Sequence, residues 1–232
     1  MGFEDFFLHD ILPDFDFSLD AENLILRVFD TATNALDDEW RRYLEAFKKE
    51  IANARDEGDI GYASSDRDWE ERTFWQKRQA VGVLALDWLK SSLQTALHRT
   101  KTYLDKTHPP KPRGYKTKRG WFAEISKDYR ERFNIDLSTG TSFERVRELV
   151  LARNAGVHRD DPDFLKRDPL KKYPANANVK QPRFIDVGDD GEERFFVTRD
   201  ALVAVIKDCE AFLKWVVSEV KRLRPVEPKA GV

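Results

Sequence analysis

Apolar residues return every three or four positions over most of this chain. Ile25, Val28, Phe29, Ala32, Leu36, Trp40, Tyr43, Leu44, Phe47, Ile51 and Ala54 form one such stripe, which predicts a long amphipathic helix. Asp20 suits its N-cap and Gly58 its stop. A second long helix is predicted from Asp68, where Asp68-Trp-Glu-Glu71 resembles a capping box, through Trp75, Ala80, Val83, Leu84, Trp88, Leu93 and Leu97 to Leu104. Lys106 to Gly120 breaks the pattern with three Pro, two Gly and no acid. A shorter helix follows over Trp121–Phe133, and Thr141-Ser-Phe-Glu144 reads as a capping box for another over Phe143–Ala152.

A polar, Pro-bearing stretch then runs to Pro182. Arg183–Val187 and Glu193–Val197 flank Gly188-Asp-Asp-Gly191, a hairpin signal. The closing helix, Asp200–Arg222, carries Leu202, Val205, Ile206, Cys209, Phe212, Leu213, Val216, Val217 and Val220. The sum is an all-α chain, a four- or five-helix bundle with a small β-hairpin insertion. It divides into an apolar N-terminal arm, 1–20, and one helical domain, 21–232.

Composition narrows the function classes. A chain of 232 residues builds a core large enough to need no staple. Net charge is −2 with 35% charged residues, so any nucleic-acid site must be a local patch rather than a global basic excess. The lone Cys209 excludes an internal disulfide and fits a reducing compartment; among apolar neighbours it reads as a buried, inert thiol. Met1-Gly-Phe-Glu-Asp5 lacks a signal-peptide start, and Phe6 fills the slot that a myristoylation motif needs as Ser or Thr. Val81–Leu89 is too short to span a bilayer and is interrupted by Asp87. The expectation is a soluble, cytoplasmic protein without a membrane partner. Phe3, Phe6, Phe7, Leu8, Ile11, Leu12, Phe15 and Phe17 of the arm must pack on its own bundle, a twin subunit or another protein.

The densest chemistry lies in Arg153-Asn154-Ala155-Gly156-Val157-His158. A permanent cation, an amide and a group that exchanges protons near neutrality stand within one short stretch. Arg grips a phosphate by a two-pronged hydrogen bond, and His moves the proton. With four His in the chain, an Arg-x(4–6)-His is expected about once by chance; requiring Asn directly after the Arg lowers that to roughly 0.03. His9, His98 and His108 have no Arg in those slots.

Arg153, Asn154 and His158 resemble the signature of the HEPN superfamily, small all-helical proteins in which an Arg and a polar residue precede a His by four to six positions. The likeness covers the motif and the helical layout from about residue 21 to 224. It implies an RNA endonuclease that works without metal, a homodimer with a composite active site, and service as a toxin or antiviral defence effector. An antitoxin, nucleotidyltransferase or defence-system protein is the implied partner. His158 would act as general base or acid, Arg153 would neutralise the phosphorane, and Asn154 would orient the His or bind phosphate. No cofactor is called for. The alternative is a non-catalytic HEPN module that binds RNA, nucleotide or a protein partner.

Residues five apart on an unbroken helix point about 140° from one another, so Arg153 and His158 would converge poorly there. Gly156 offers a place for the helix to end or distort. The competing reading makes Arg153 a bundle cap that pairs with a carboxylate and His158 a solvated loop residue.

The basic linker is a second candidate. Lys111, Arg113, Lys116, Lys118 and Arg119, with Lys106 before them, are interleaved with Tyr115 and Trp121, a mix suited to backbone charge and base stacking; a solvated loop is the simpler account. Asp160, Asp161 and Asp163 read as solvated acids, since they lack the Gly and terminal Glu of a calcium loop and Pro162 interrupts them. His98 has no Cys or His at ligand spacing, and no metal site is proposed.

Overall fold

The computed structural model describes residues 19–54, 57–107, 120–157, 173–175, 177–187 and 193–223. Five α-helices run through these residues: α1 (Leu19–Asn53), α2 (Glu57–Thr107), α3 (Trp121–Phe133), α4 (Phe143–Val157) and α5 (Arg199–Arg222). The chain is mainly helical, in keeping with its apolar periodicity. No described helix is long and apolar enough to cross a membrane.

The α2 helix is the spine. Its Leu86, Leu89, Leu93 and Leu97 are fully buried at steps of three and four residues. They share one core with Tyr129 of α3, Leu149 of α4, and Leu202, Ile206 and Phe212 of α5. The α1 helix joins that core through Ile25, Leu26 and Phe29. Beyond Thr33 it has no buried residue, and α2 has only Ala63 before Gly82. In that distal half the two helices meet through ring and charge contacts. Trp40 stacks on Phe74 with centroids 5.2 Å apart, Lys77 Nζ reaches Glu39 at 2.6 Å, and Arg78 donates to Asp37.

Several boundaries differ from expectation, beginning with α1, which starts at Leu19 and so has the expected cap Asp20 inside its first turn. The α2 helix begins at Glu57, well before Asp68, and Gly58 lies in its first turn instead of closing α1. No Pro interrupts residues 57–107, and Glu57 and Asp59 suit the positive end of the helix dipole. Gly58 and Gly61, at about 1 kcal/mol each, weaken the helix without stopping it. The α4 helix starts at Phe143 as expected but runs past Ala152 to Val157, and after Ser142 at φ 61° its Glu144 accepts from Arg147 instead of serving Thr141 as a capping box.

Elsewhere local chemistry sets ends that the sequence reading placed within a residue without naming their caps. Asn134 closes α3 in the left-handed region at φ 59°, with its N–H donating to the carbonyl of Arg130. Thr198 caps α5 by accepting from the Ala201 N–H at 3.1 Å. Strands β1 (Ile185–Val187) and β2 (Glu193–Phe195) pair antiparallel, with Asp186 opposite Arg194. They are three residues each, shorter than the expected hairpin arms, and the connecting residues 188–192 lie outside the described residues.

A buried carboxylate ties α4 to the chain that precedes β1. Glu148, fully buried, accepts from Arg145 Nη1 at 2.8 Å, from the Tyr173 hydroxyl at 3.0 Å and from the Arg183 N–H at 2.6 Å. The Tyr173 oxygen in turn accepts the Phe184 N–H at 3.0 Å. Burial, first of all, pushes the Tyr173 phenol well above its ordinary range, so it stays a donor. Every polar group in this knot has a partner, which is what makes a buried charge tolerable.

Candidate functional site

The α4 helix runs unbroken to Val157, so Gly156 is not the expected break. A Cβ at Gly156 would stand 2.6 Å from Val83 Cγ2 and 3.2 Å from the Phe195 ring. Glycine is required here for close approach of α4 to α2. That contact sits beside a second one. Val83 and Asp87 share a face of α2 at i and i+4, as Arg153 and Gly156 share one of α4 at i and i+3.

There Arg153 Nε donates to Asp87 Oδ1 at 2.5 Å, and Arg153 Nη1 donates to Asn154 Oδ1 at 3.3 Å. The side chains of Arg153 and Asp87 keep 21% and 39% of their surface exposed, so the pair stands at the protein edge. One turn further along α2, Lys90 holds its Nζ 5.9 Å from the centre of the Trp121 ring, a cation–π distance. The Lys90 ammonium loses protons more readily than an ordinary lysine. Partial desolvation is the main cause and the Arg153 charge the second, with Asp87 opposing both.

Sequence reasoning named Arg153 and Asn154, and the fold holds them together. It missed Asp87 and Lys90. A lone acid inside the apolar run Val81–Leu89 was the available signal, since an isolated carboxylate there needs a cationic partner. His158 follows α4 directly in sequence and lies outside the described residues. So do Lys111, Arg113, Tyr115, Lys116, Lys118 and Arg119, the acids Asp160, Asp161 and Asp163, and residues 1–18 of the apolar arm.

Other chemistry-bearing groups are quieter. Cys209 is fully buried, and burial raises its thiol far above the reactive range. His98 lines a shallow trough on α2 with Ser91, Thr95 and Thr102. Among the described residues no group of three or more His, Cys, Asp or Glu is arranged to hold a metal ion.

Comparison with known proteins gives no family. No family model, no curated protein and no solved structure matches this chain.

Proposed function

We propose that this protein is a metal-independent RNA endonuclease of the HEPN type, a cytoplasmic toxin or antiviral defence effector built on a HEPN-like bundle. The observation that carries the reading is the Arg153 guanidinium, held at an exposed edge by Asp87 and Asn154 and followed within five residues by His158. RNA supplies its own nucleophile. His158 takes the proton as the 2′-oxygen attacks phosphorus, Arg153 offsets the charge that gathers on the phosphorane, and the 5′-oxygen leaves with a proton. The products are a 2′,3′-cyclic phosphate and a 5′-hydroxyl.

The same reading calls for a C2 homodimer with the two motifs facing each other. Leu84 and Trp88, 69% and 41% exposed, flank Asp87 on α2, and Val157 beside Gly156 is 45% exposed. An apolar rim around a charged pair supports association of two copies at this edge. An antitoxin or other defence-system protein remains the proposed further partner.

One observation favours a second reading, a non-cleaving module that binds RNA, nucleotide or protein. Asp87 already neutralises part of the Arg153 charge, as a purely structural pair between α2 and α4 would. Digestion of total RNA in EDTA separates the two. Cleavage that leaves cyclic phosphate ends, and is lost in Arg153→Ala and His158→Ala, supports the nuclease. Products with a 3′-hydroxyl, or activity that needs magnesium, rule it out.

A further inference from the structure

Three helices converge at one edge of the bundle: α2 with Asp87 and Lys90, α3 with Trp121 at its first position, and α4 with Arg153 and Asn154. Two cations stand near one carboxylate, which is bonded to Arg153. Asp87 is committed to the Nε side of Arg153, and Asn154 takes a hydrogen bond from Nη1. Lys90 is on the same helix face as Asp87, at i and i+3, and has its ammonium over the Trp121 ring.

We propose that Lys90 and Arg153 form a two-cation seat for one phosphoryl group, with Asp87 fixing Arg153 and Trp121 carrying Lys90. The assignment rests on the phosphodiester reading of Arg153 and adds the second group that would grip the substrate. Its basis is geometric: Arg153 is bonded to Asp87, and Lys90 stands one turn from Asp87 on the same face with its ammonium over Trp121. Arg153 depresses the proton affinity of Lys90 more than Asp87 restores it, so the two cations repel in the free protein. An anion between them relieves that repulsion. A phosphoryl group fits both donors, since it accepts a forked contact from a guanidinium and a point contact from an ammonium. The aromatic face under Lys90 holds the ammonium at one place without consuming its donors.

Asp87 and Asn154 act as positioning residues in this arrangement. With Nε and one Nη engaged, the guanidinium has a defined plane, and its second Nη has no hydrogen bond to a described residue. A free nucleotide and an RNA backbone present the same phosphoryl chemistry, so the probes must separate them.

The test uses the full chain and three probes: inorganic phosphate, a nucleoside monophosphate, and a single-stranded 2′-O-methyl RNA that cannot be cut. Phosphate should raise the melting temperature beyond chloride at equal ionic strength. Lys90→Met keeps the stem over Trp121 and removes the charge. It should abolish that rise, weaken the uncleavable strand about tenfold and lower its salt slope by about 0.7. Lys90→Arg should restore the slope. A strand that binds far better than the monophosphate marks RNA as the source; the reverse marks free nucleotide. Wild-type protein indifferent to all three probes, or Lys90→Met binding them as wild type does, overturns the seat. Cleavage retained in Lys90→Met with unchanged binding refutes the seat and leaves the nuclease standing. Binding that depends on Lys90 without any cleavage refutes the nuclease and leaves the seat.

Discussion

Asp87 and Arg153, 66 positions apart in sequence, meet at 2.5 Å between α2 and α4 and set the plane of the only cation in the Arg-Asn…His motif. A partly exposed pair of this kind is worth only about 0–1 kcal/mol of folding free energy. Asp87→Ala should therefore leave urea stability within about 1 kcal/mol of wild type, while RNA cleavage falls tenfold or more because Arg153 loses its orientation. Equal losses of stability and activity would assign the pair to folding alone.

Glu148 belongs to the opposite regime. Its carboxylate is fully buried and serves three donors, so removing it strands the Tyr173 hydroxyl and the Arg183 N–H and leaves the Arg145 guanidinium only the Gln181 carbonyl among the described residues. Glu148→Ala should cost about 3–5 kcal/mol by urea denaturation. Tyr173→Phe, which orphans only part of the knot, should cost about 1–3 kcal/mol.

Gly156 sets two effects against each other. Alanine would add roughly 1 kcal/mol of helix propensity, but its methyl meets a stiff, β-branched Val83 at 2.6 Å. Overpacking of about 1–3 kcal/mol should win, so Gly156→Ala destabilises. Val83→Ala in the same chain should recover most of the loss, a coupling readable in a double-mutant cycle.

His98 offers a pH signature. Desolvation first, then the Lys101 charge, lower its proton affinity, against a smaller pull from Asp128. The unfolded chain, with a pKa of about 6.5, thus binds the proton more readily. Stability should fall as pH drops below about 6.5 and level off beneath the folded-state pKa. Urea midpoints at pH 7.5 and pH 5.5 should converge in His98→Gln.

Trp88 tests association. Trp88→Glu puts charge on the apolar rim and should shift sedimentation from dimer to monomer at micromolar concentration, with cleavage lost alongside. A monomeric wild-type protein that still cleaves would contradict the composite site.

Periodicity made the helices readable because each buries a stripe, and Trp121–Phe133 was bounded correctly, with the Gly120 break before it; Asn134, whose left-handed turn closes it, was not read as a signal. The start of α2 was not readable. Gly58, Gly61 and the cap-like Asp68 imitate a boundary, yet the helix runs through them beside α1, with Arg67 over the Phe47 ring. Gly156 was misjudged for a related reason: sequence shows that a side chain is missing, not which neighbour occupies its space. Arg153 and Asn154 announced themselves as adjacent polar groups. Asp87 showed only as a lone acid in an apolar run and Lys90 not at all, since their place beside Arg153 depends on α2 passing beside α4, a relation that no local pattern encodes.

The long α1–α2 hairpin gives the molecule two tiers of cohesion. From Asn34 to Asn53 and from Glu57 to Val81 the helices shelter a single residue, Ala63, whereas the segment from Gly82 to Leu104 lies in the core. Opening the outer tier sacrifices stacked rings and solvated ion pairs; opening the inner one exposes leucines. Backbone amides of the two tiers should therefore exchange with solvent through separate events, the outer tier opening at lower cost than the one that holds the Arg153 edge.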